Sequence, residues 1–391
     1  MRNFWIALFG VVMVVAIAIG VGVGLGVREK NNSASTGGAD DDVEPTVTPT
    51  AKPTVGRVAS FSKLAAANYT SQQLVEYNTV YYQDNDLNIW MADLDTFTNE
   101  WTLLKVNTTG MDPKNGTAIS ASNWVSGDRT DLHLRFIAST TNNIRGIFSY
   151  QHQPKTSSWK SAGPPDDKWT ATDASQLAHT GTSCADCDHS PIMAFRSATQ
   201  NTTAFAYPYD TPAFNTSGDA LPPGGVDVDA DSAYAFAPML SVDGEARPQT
   251  ALYLSVGRRL QEFWFLFRVG WSARNLSVPM EIDPGAPIAA TSYVYGGKRY
   301  VQVLVTRTDG GVRMAYLDGG TNSTADWAYT DEVSGMEDVV PLSPIAATQT
   351  GYVFAFEESG GSKEIVRFRR TSTTGMPVWE RVGVVNTTVV D

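Results

Sequence analysis

One pattern recurs along most of the sequence at a nearly constant interval: an apolar-alternating hairpin that ends on a tryptophan. The first copy runs from Asp86 to Trp101, and later copies end at Trp159, Trp271, Trp327 and Trp379. The steps between these tryptophans are 58, 112, 56 and 52 residues, and 112 is twice 56. A further copy is therefore expected near residue 215, where Phe214 takes the place of tryptophan. A fixed period of this kind indicates a repeat architecture.

A second ladder, made of short segments with small apolar residues, has the same period. The segment "PIAAT" is centred on Ile288 and again on Ile345, and related segments are centred on Leu64, Ile119, Leu177 and Leu240. Each unit predicts four short antiparallel strands. Six units of about 55 residues predict an all-β fold, a six-bladed β-propeller over residues 58–391. The alternative, an open solenoid, would need polar capping repeats, whereas the first and last units resemble the others.

The first residues predict a membrane anchor followed by a stalk. Residues 4–27 carry no charge and are long enough to cross a bilayer as a transmembrane helix. A cleaved signal peptide, the alternative, has a shorter apolar core of about 7–15 residues. Residues 1–3 then form a cytoplasmic tail. Small residues four apart in the helix, such as Gly20 and Gly24, allow two helices to approach closely and so favour a homodimer. The alternative is that these glycines have no role in association, because glycine is common in membrane helices. Residues 28–57 are rich in Pro and Thr, so we expect a disordered stalk.

Acceptor sequences of the form N-x-S/T predict that the propeller is N-glycosylated. They lie at Asn68, Asn107, Asn115, Asn201, Asn215, Asn275, Asn322 and Asn386. We therefore expect a single-pass membrane protein with the propeller on the extracellular or lumenal side. In that compartment Cys184 and Cys187 are expected to form a disulfide. The alternatives are a metal site that includes His179 and His189, and two free thiols.

Charge and motifs argue against several classes of function. The net charge is −12, whereas binding to nucleic acid needs a basic face. The sequence contains no H-E-x-x-H, no G-x-S-x-G, no phosphate-binding loop and no dinucleotide-binding motif. We therefore expect a protein that is not an enzyme and that needs no cofactor or metal.

Several segments resemble one known family. They are the "S-x-I-A-A" inner strands, "VYYQDNDLNIW" (Val80 to Trp90), "RRLQEFWF" (Arg258 to Phe265) and the tryptophan ladder. Over residues 61–391 the chain resembles the fungal fucose-specific lectins related to the Aleuria lectin, which are six-bladed propellers. The resemblance implies glycan partners and a sugar site between neighbouring blades. There an Arg and a Glu bind sugar hydroxyls, and an aromatic ring of the next blade stacks on the sugar.

The family's I-x-E-x-x-W/Y pattern assigns candidate residues by position. Its Glu corresponds to Glu262 in the fourth unit, whereas the other units have Met91, Gly146, Phe205, Met314 and Val366 at this place. Glu262 is the expected hydroxyl acceptor, with Phe265 and Trp264 as stacking rings and Arg135 and Trp90 as further candidates.

The resemblance therefore implies a lectin-like protein that binds carbohydrate, fucosylated glycans included, although most of the family's sugar-binding residues are missing. One alternative is an interaction scaffold that keeps the propeller without sugar sites. A second is a propeller enzyme. A glycoside hydrolase would need paired carboxylates, and a lactonase would need metal ligands at the channel mouth.

Overall fold

The computed structural model describes residues 54–55, 57–71, 74–126, 129–149, 159–161, 169–181, 192–206, 226–239, 242, 248–266, 270–320 and 326–390. The cytoplasmic tail (1–3), the transmembrane helix (4–27), nearly all of the stalk (28–57), the Cys184–Cys187 pair, Asn215 and Asn322 lie outside these residues. Within the described ranges, no helix is long and apolar enough to cross a membrane.

Six antiparallel sheets, one per repeat, form the blades, and within each sheet the strands follow chain order. A short strand β1 (Thr54–Val55) comes before them. Blade 1 contains β2 (Ala65–Thr70), β3 (Glu76–Gln83), β4 (Ile89–Asp95) and β5 (Glu100–Lys105). Blade 2 contains β6 (Ile119–Ser126), β7 (Arg129–Ile137), β8 (Ile144–Ser149) and β9 (Trp159–Ser161). Blade 3 contains β10 (Leu177–Thr180), β11 (Ile192–Arg196) and β12 (Thr203–Ala206).

The second half repeats this arrangement. Blade 4 contains β13 (Ala235–Pro238), β14 (Pro248–Val256), β15 (Arg259–Leu266) and β16 (Gly270–Asn275). Blade 5 contains β17 (Ile288–Tyr295), β18 (Lys298–Thr306), β19 (Val312–Asp318) and β20 (Trp327–Thr330). Blade 6 contains β21 (Ile345–Ala347), β22 (Tyr352–Ser359), β23 (Ser362–Arg370) and β24 (Trp379–Val384), and β25 (Val389–Val390) follows it. The predicted all-β, six-bladed propeller of four-stranded blades is thus confirmed. In blade 3 three strands are described, and the copy expected at Phe214 lies outside the described residues.

A hydroxyl just before the inner strand fixes the register of five blades. Its oxygen accepts the backbone N–H of a residue on the neighbouring strand at 2.7–2.9 Å. The hydroxyls belong to Ser62, Thr117, Ser175, Ser232 and Ser343, whereas blade 5 has Ala286 at this position. In blade 4 this contact places the inner strand at Ala235–Pro238, so the prediction that centred it on Leu240 was wrong.

The core of the molecule lies between the blades. Side chains of each strand alternate between the two faces of the sheet, and both faces pack against a neighbouring blade. We call each interface a seam and name it by its two blades, from seam 1/2 to seam 6/1. The ladder tryptophans all pack on the preceding blade, as expected for inter-blade core. Four form ring pairs: Trp101 with Phe354, Trp159 with Tyr81, Trp271 with Phe205 and Trp327 with Tyr253. Trp379 lies in the core cluster of seam 5/6, which also contains Met314 of blade 5.

Seam 6/1 closes the ring between the last blade and the first. The backbone N–H of Gln349 donates to Asn68 Oδ1 at 3.0 Å, and Thr350 Oγ1 donates to Asn78 Oδ1 at 2.6 Å. Outside the blades, β1 pairs antiparallel with β25, which ties the two ends of the propeller together. The architecture is therefore a closed ring and not an open solenoid.

Candidate functional site

All five residues predicted to bind sugar are buried. The exposed fraction is 1% for Glu262, 4% for Trp264, 9% for Phe265, 2% for Arg135 and 8% for Trp90. They are distributed over four different seams, so most of them cannot act together.

Strand β15 divides its three candidates between two seams. Trp264 belongs to the core of seam 4/5, and Glu262, two residues earlier, lies on the same face. Phe265 faces the other way, into seam 3/4, where its ring centroid is 5.1 Å from that of Trp271. The structure therefore brings Glu262 and Trp264 together and separates Phe265 from them.

Glu262 lies in a cluster of polar and aromatic side chains in seam 4/5. The hydroxyl of Tyr253 donates to Glu262 Oε1 at 2.8 Å. Arg274 stands opposite Glu262 on β16, and its guanidinium carbon is 3.6 Å from the centroid of the Trp264 ring. From blade 5 the fully buried Arg299 approaches the same ring, with its guanidinium carbon 6.0 Å from the centroid.

Neighbouring groups offset part of the cost of burying the charge of Glu262, whose pKa stays above its usual value. Burial raises the pKa of Glu262, and Trp264, Tyr253, Arg274 and Arg299 act in the opposite direction. The seam thus contains the combination that the resemblance implies, an Arg, a Glu and an aromatic ring, but the protein's own side chains occupy it.

Arg135 lies in a basic cluster in seam 2/3. It stands opposite Gly146, the position where the resemblance implies a Glu, so this blade supplies no carboxylate there. His179 of blade 3 is buried beside it, and its Nε2 is 2.7 Å from Ser122 Oγ. The ring centroid of His133 is 6.3 Å from that of His179. Burial lowers the pKa of Arg135 to about 10, and burial together with Arg135 and His133 lowers the pKa of His179 well below its usual value.

Trp90 lies in seam 6/1 and supports a turn. Its Nε1 donates to Asp84 Oδ2 at 2.7 Å. The other oxygen of Asp84 accepts the backbone N–H groups of Asp86 and Asn88, both at 2.9 Å. Trp90 therefore fixes the hairpin between β3 and β4, and its ring is not available as an open stacking surface.

Two seams carry polar contacts that the sequence patterns did not indicate. In seam 1/2, Thr79 Oγ1 and the Tyr69 hydroxyl both donate to the buried Asp93 at 2.7 Å. In seam 5/6, Arg370 Nη1 donates to Gln302 Oε1 at 3.0 Å. Gln302 lies a dozen residues before Met314. The resemblance would place an Arg at the position of Gln302 and a Glu at the position of Met314. This spacing could have identified Gln302 as a candidate, but Arg370 comes from the next blade and no local pattern predicts it.

The central channel has a polar mouth built from the ends of the inner strands. Asn123 Nδ2 donates to the backbone oxygen of Asn68 at 2.6 Å, and the backbone N–H of Ser292 donates to Gln349 Oε1 at 2.8 Å. A cavity of about 90 Å³ lies here, which is large enough to hold water. The acceptor Asn68 of the predicted glycosylation set therefore lines the channel.

Four other predicted glycosylation sites have exposed side chains: Asn107, Asn115, Asn201 and Asn386. For Asn275 the structure describes the strand but not the side chain. The exposed asparagines are accessible in the way that a glycan requires, and their glycosylation stays a prediction.

Comparison with known proteins identifies the fold. No protein-family model matches this sequence, and no curated protein matches it. Among solved structures, a mutant Aleuria aurantia lectin in complex with α-methyl-L-fucoside is similar, with a TM-score of 0.63 and 16% identity over 86% of this chain and 98% of that chain.

Two further structures agree. SapL1 lectin in complex with α-methyl fucoside has a TM-score of 0.58 and 15% identity, over 84% of this chain and 97% of that chain. AofleA from Arthrobotrys oligospora has a TM-score of 0.58 and 16% identity, over 84% of this chain and 88% of that chain. The chain therefore has the six-bladed propeller fold of these proteins, at an identity too low to transfer their binding residues.

Proposed function

We propose that this chain is a lectin-like propeller that binds carbohydrate, with seam 4/5 as its best-preserved site. The observation that carries the proposal is the meeting of Glu262, Arg299 and Trp264 in one seam. These are the residue types that the resemblance implies for a sugar site. The similarity to lectins solved with fucosides supports carbohydrate as the ligand class, and fucosylated glycans are the first members of that class to test.

Arg274 is the residue that must move to admit a sugar. Its guanidinium covers the face of the Trp264 indole, and it is half-buried, whereas Arg299 is fully buried. Displacement of Arg274 uncovers an apolar ring face for the C–H groups of a sugar. Glu262 then accepts hydroxyl hydrogen bonds, and Arg299 holds the charge of the carboxylate.

The proposal also includes the setting of the domain. Residues 4–27 anchor the chain in a membrane, and the propeller lies on the extracellular or lumenal side as a glycoprotein. The support for this part is the uncharged 24-residue segment and the acceptor sequences, both features of the sequence. The function proposed is binding and not catalysis.

The test is a glycan array probed with the full chain, with neutral, fucosylated and non-fucosylated members. We expect the Glu262→Gln variant to bind its best glycan at least about tenfold more weakly, because a charge-assisted hydrogen bond contributes about 1.5–3 kcal/mol. Glu380→Gln, which alters an exposed carboxylate on β24, is the matched control and should bind like the wild type.

A second variant separates binding from folding. Arg274→Ala removes the side chain that covers Trp264 and should strengthen glycan binding, so the two variants should change affinity in opposite directions. Equal binding by the wild type and Glu262→Gln would reject seam 4/5 as the site.

A non-sugar interaction scaffold is the second candidate function. The observation in its favour is that all five predicted sugar-binding residues are buried among the protein's own side chains. A folded chain that binds no glycan at high density on the array would favour the scaffold.

A further inference from the structure

Seam 5/6 contains a cation that is held in place without a counter-charge. The guanidinium carbon of Arg370 is 3.5 Å from the centroid of the Tyr293 ring. On its other side lies Gly351, where a Cβ would come within 3.2–3.3 Å of the guanidinium. With Nη1 donating to Gln302 Oε1, the arginine has a fixed position between two blades.

No carboxylate balances Arg370 within the described part of the chain. Asp318 of blade 5 is exposed, and its Oδ1 accepts the backbone N–H of Gly375 at 2.7 Å. The preceding residue, Arg369, points to the other face of β23 and pairs with Glu380 at 3.5 Å. A half-buried cation is normally paired, because removing its charge from water is unfavourable.

Gln302 supplies a second donor at the same place. Its side chain is fully buried, and Oε1 is used by Arg370. Its Nε2 faces the hydroxyl of Tyr293 and makes no hydrogen bond of good geometry there. Because Nε2 belongs to the same amide as Oε1, this donor lies beside the guanidinium. An anionic acceptor would form a stronger hydrogen bond with it than the neutral hydroxyl does, so an acceptor that bonds to both groups would be favoured.

The rim of this seam exposes an aromatic ring and a methionine. Tyr295 lies two residues beyond Tyr293 and on the same face of β17, and 52% of its surface is exposed. Met376 of blade 6 is 54% exposed, in a segment that Asp318 holds to blade 5 through Gly375. Tyr295 therefore offers an exposed aromatic face on which the ring of a sugar can stack.

We propose that seam 5/6 binds an acidic sugar, with its carboxylate or sulfate group between Arg370 and Gln302 and its ring against Tyr295. One anionic group accepts from both donors and supplies the missing charge. The sugar part rests on the proposed carbohydrate function, whereas the anion part does not. The site is independent of Glu262, which lies one seam away.

The experiment is isothermal titration calorimetry of the full chain with three probes: methyl β-glucuronide, methyl β-glucoside and sodium sulfate. We expect the glucuronide to bind at least about tenfold more tightly than the glucoside. Binding should weaken as salt rises, because the contact is partly electrostatic. Arg370→Gln should weaken glucuronide binding at least about tenfold. The matched control Arg369→Gln, which alters the adjacent and already paired arginine, should leave it unchanged.

A second variant covers the case in which Arg370→Gln fails to fold. Gln302→Glu keeps the shape of the side chain and places a carboxylate beside Arg370, so it should abolish glucuronide binding in a folded chain. Unchanged glucuronide binding by Arg370→Gln or Gln302→Glu would overturn the proposal.

Other outcomes separate this proposal from the one above. Sulfate that binds as tightly as the glucuronide would support the anion site and reject the sugar as its carrier. Neutral glycans that bind in a Glu262-dependent way, while the glucuronide does not bind, would reject the acidic site and leave the lectin-like function standing.

Discussion

His179 shows how one buried side chain can give the fold a pH dependence. Its pKa is lowered by burial, by Arg135 and by His133, so it stays neutral in the folded protein at pH values where it is charged in the unfolded chain. The unfolded chain therefore binds an additional proton below about pH 6.5. This group's contribution to stability is complete above that pH and is lost as the pH falls.

We expect the free energy of unfolding of the wild type to fall between pH 7 and pH 5 more steeply than that of His179→Gln. The difference in slope should reach at most about 1.4 kcal/mol per pH unit, the value for one proton. Urea denaturation at several pH values measures it. Parallel pH profiles for the two proteins would show that His179 does not cause the dependence.

The chemistry of the site could be predicted from the sequence only in part, for a reason visible in single residues. Glu262 stands in a local pattern, so its position was recognisable. Its partner Arg299 comes from another blade, and Arg370 meets Gln302 across 68 residues. No spacing in the sequence encodes such contacts, because they depend on how neighbouring blades pack. Burial of Glu262 was likewise not predictable from its pattern.

At the scale of the element, the hydroxyl that precedes the inner strand is a repeated structural device. In blade 6, Ser343 Oγ accepts the backbone N–H of Phe356 at 2.7 Å and donates to the oxygen of Pro344 at 2.8 Å. Ser343→Ala removes both bonds and leaves a buried N–H without an acceptor. We expect it to lower the free energy of unfolding by about 1–3 kcal/mol.

Urea denaturation of Ser343→Ala measures this loss. Ser359→Ala, at the exposed end of β22, is the control and should change stability by less than about 0.5 kcal/mol. Equal stability of the two variants would mean that the hydroxyl does not stabilise the blade.

The hydroxyl before the inner strand also explains which strands could be located correctly from the sequence and which could not. The tryptophan ladder gave the period correctly because each tryptophan packs on the preceding blade. For blade 4, apolar content alone favoured the segment around Leu240, whereas the hydroxyl of Ser232 with Ala235 three residues later marks the strand. A ladder of hydroxyl and small residues is thus more specific than one of apolar residues.

In the whole molecule, seam 6/1 differs from the other seams because no chain segment connects blade 6 directly to blade 1. Side-chain hydrogen bonds of Asn68 and Asn78 and the pairing of β1 with β25 join the blades there. Deletion of residues 388–391 removes β25. We expect the melting temperature to fall by at least about 2 °C, since even 1 kcal/mol has an effect of this size in large domains.

Differential scanning calorimetry checks this effect, with deletion of Asp391 alone as the control. The shorter deletion leaves β25 intact and should melt like the wild type. If both deletions melt at the same temperature, the pairing of the chain ends does not contribute to closure of the ring.

The two-sided arrangement of β15 has a consequence for how such proteins change over generations. Glu262 faces one seam and Phe265 faces the next, so one repeat contributes to two seams. A substitution on β15 therefore alters the seam that its side chain faces and leaves the contacts of the other seam in place. Because each seam takes side chains from two adjacent repeats, neither repeat alone determines its chemistry, and a seam acquires a new specificity only within the limits that the neighbouring repeat sets.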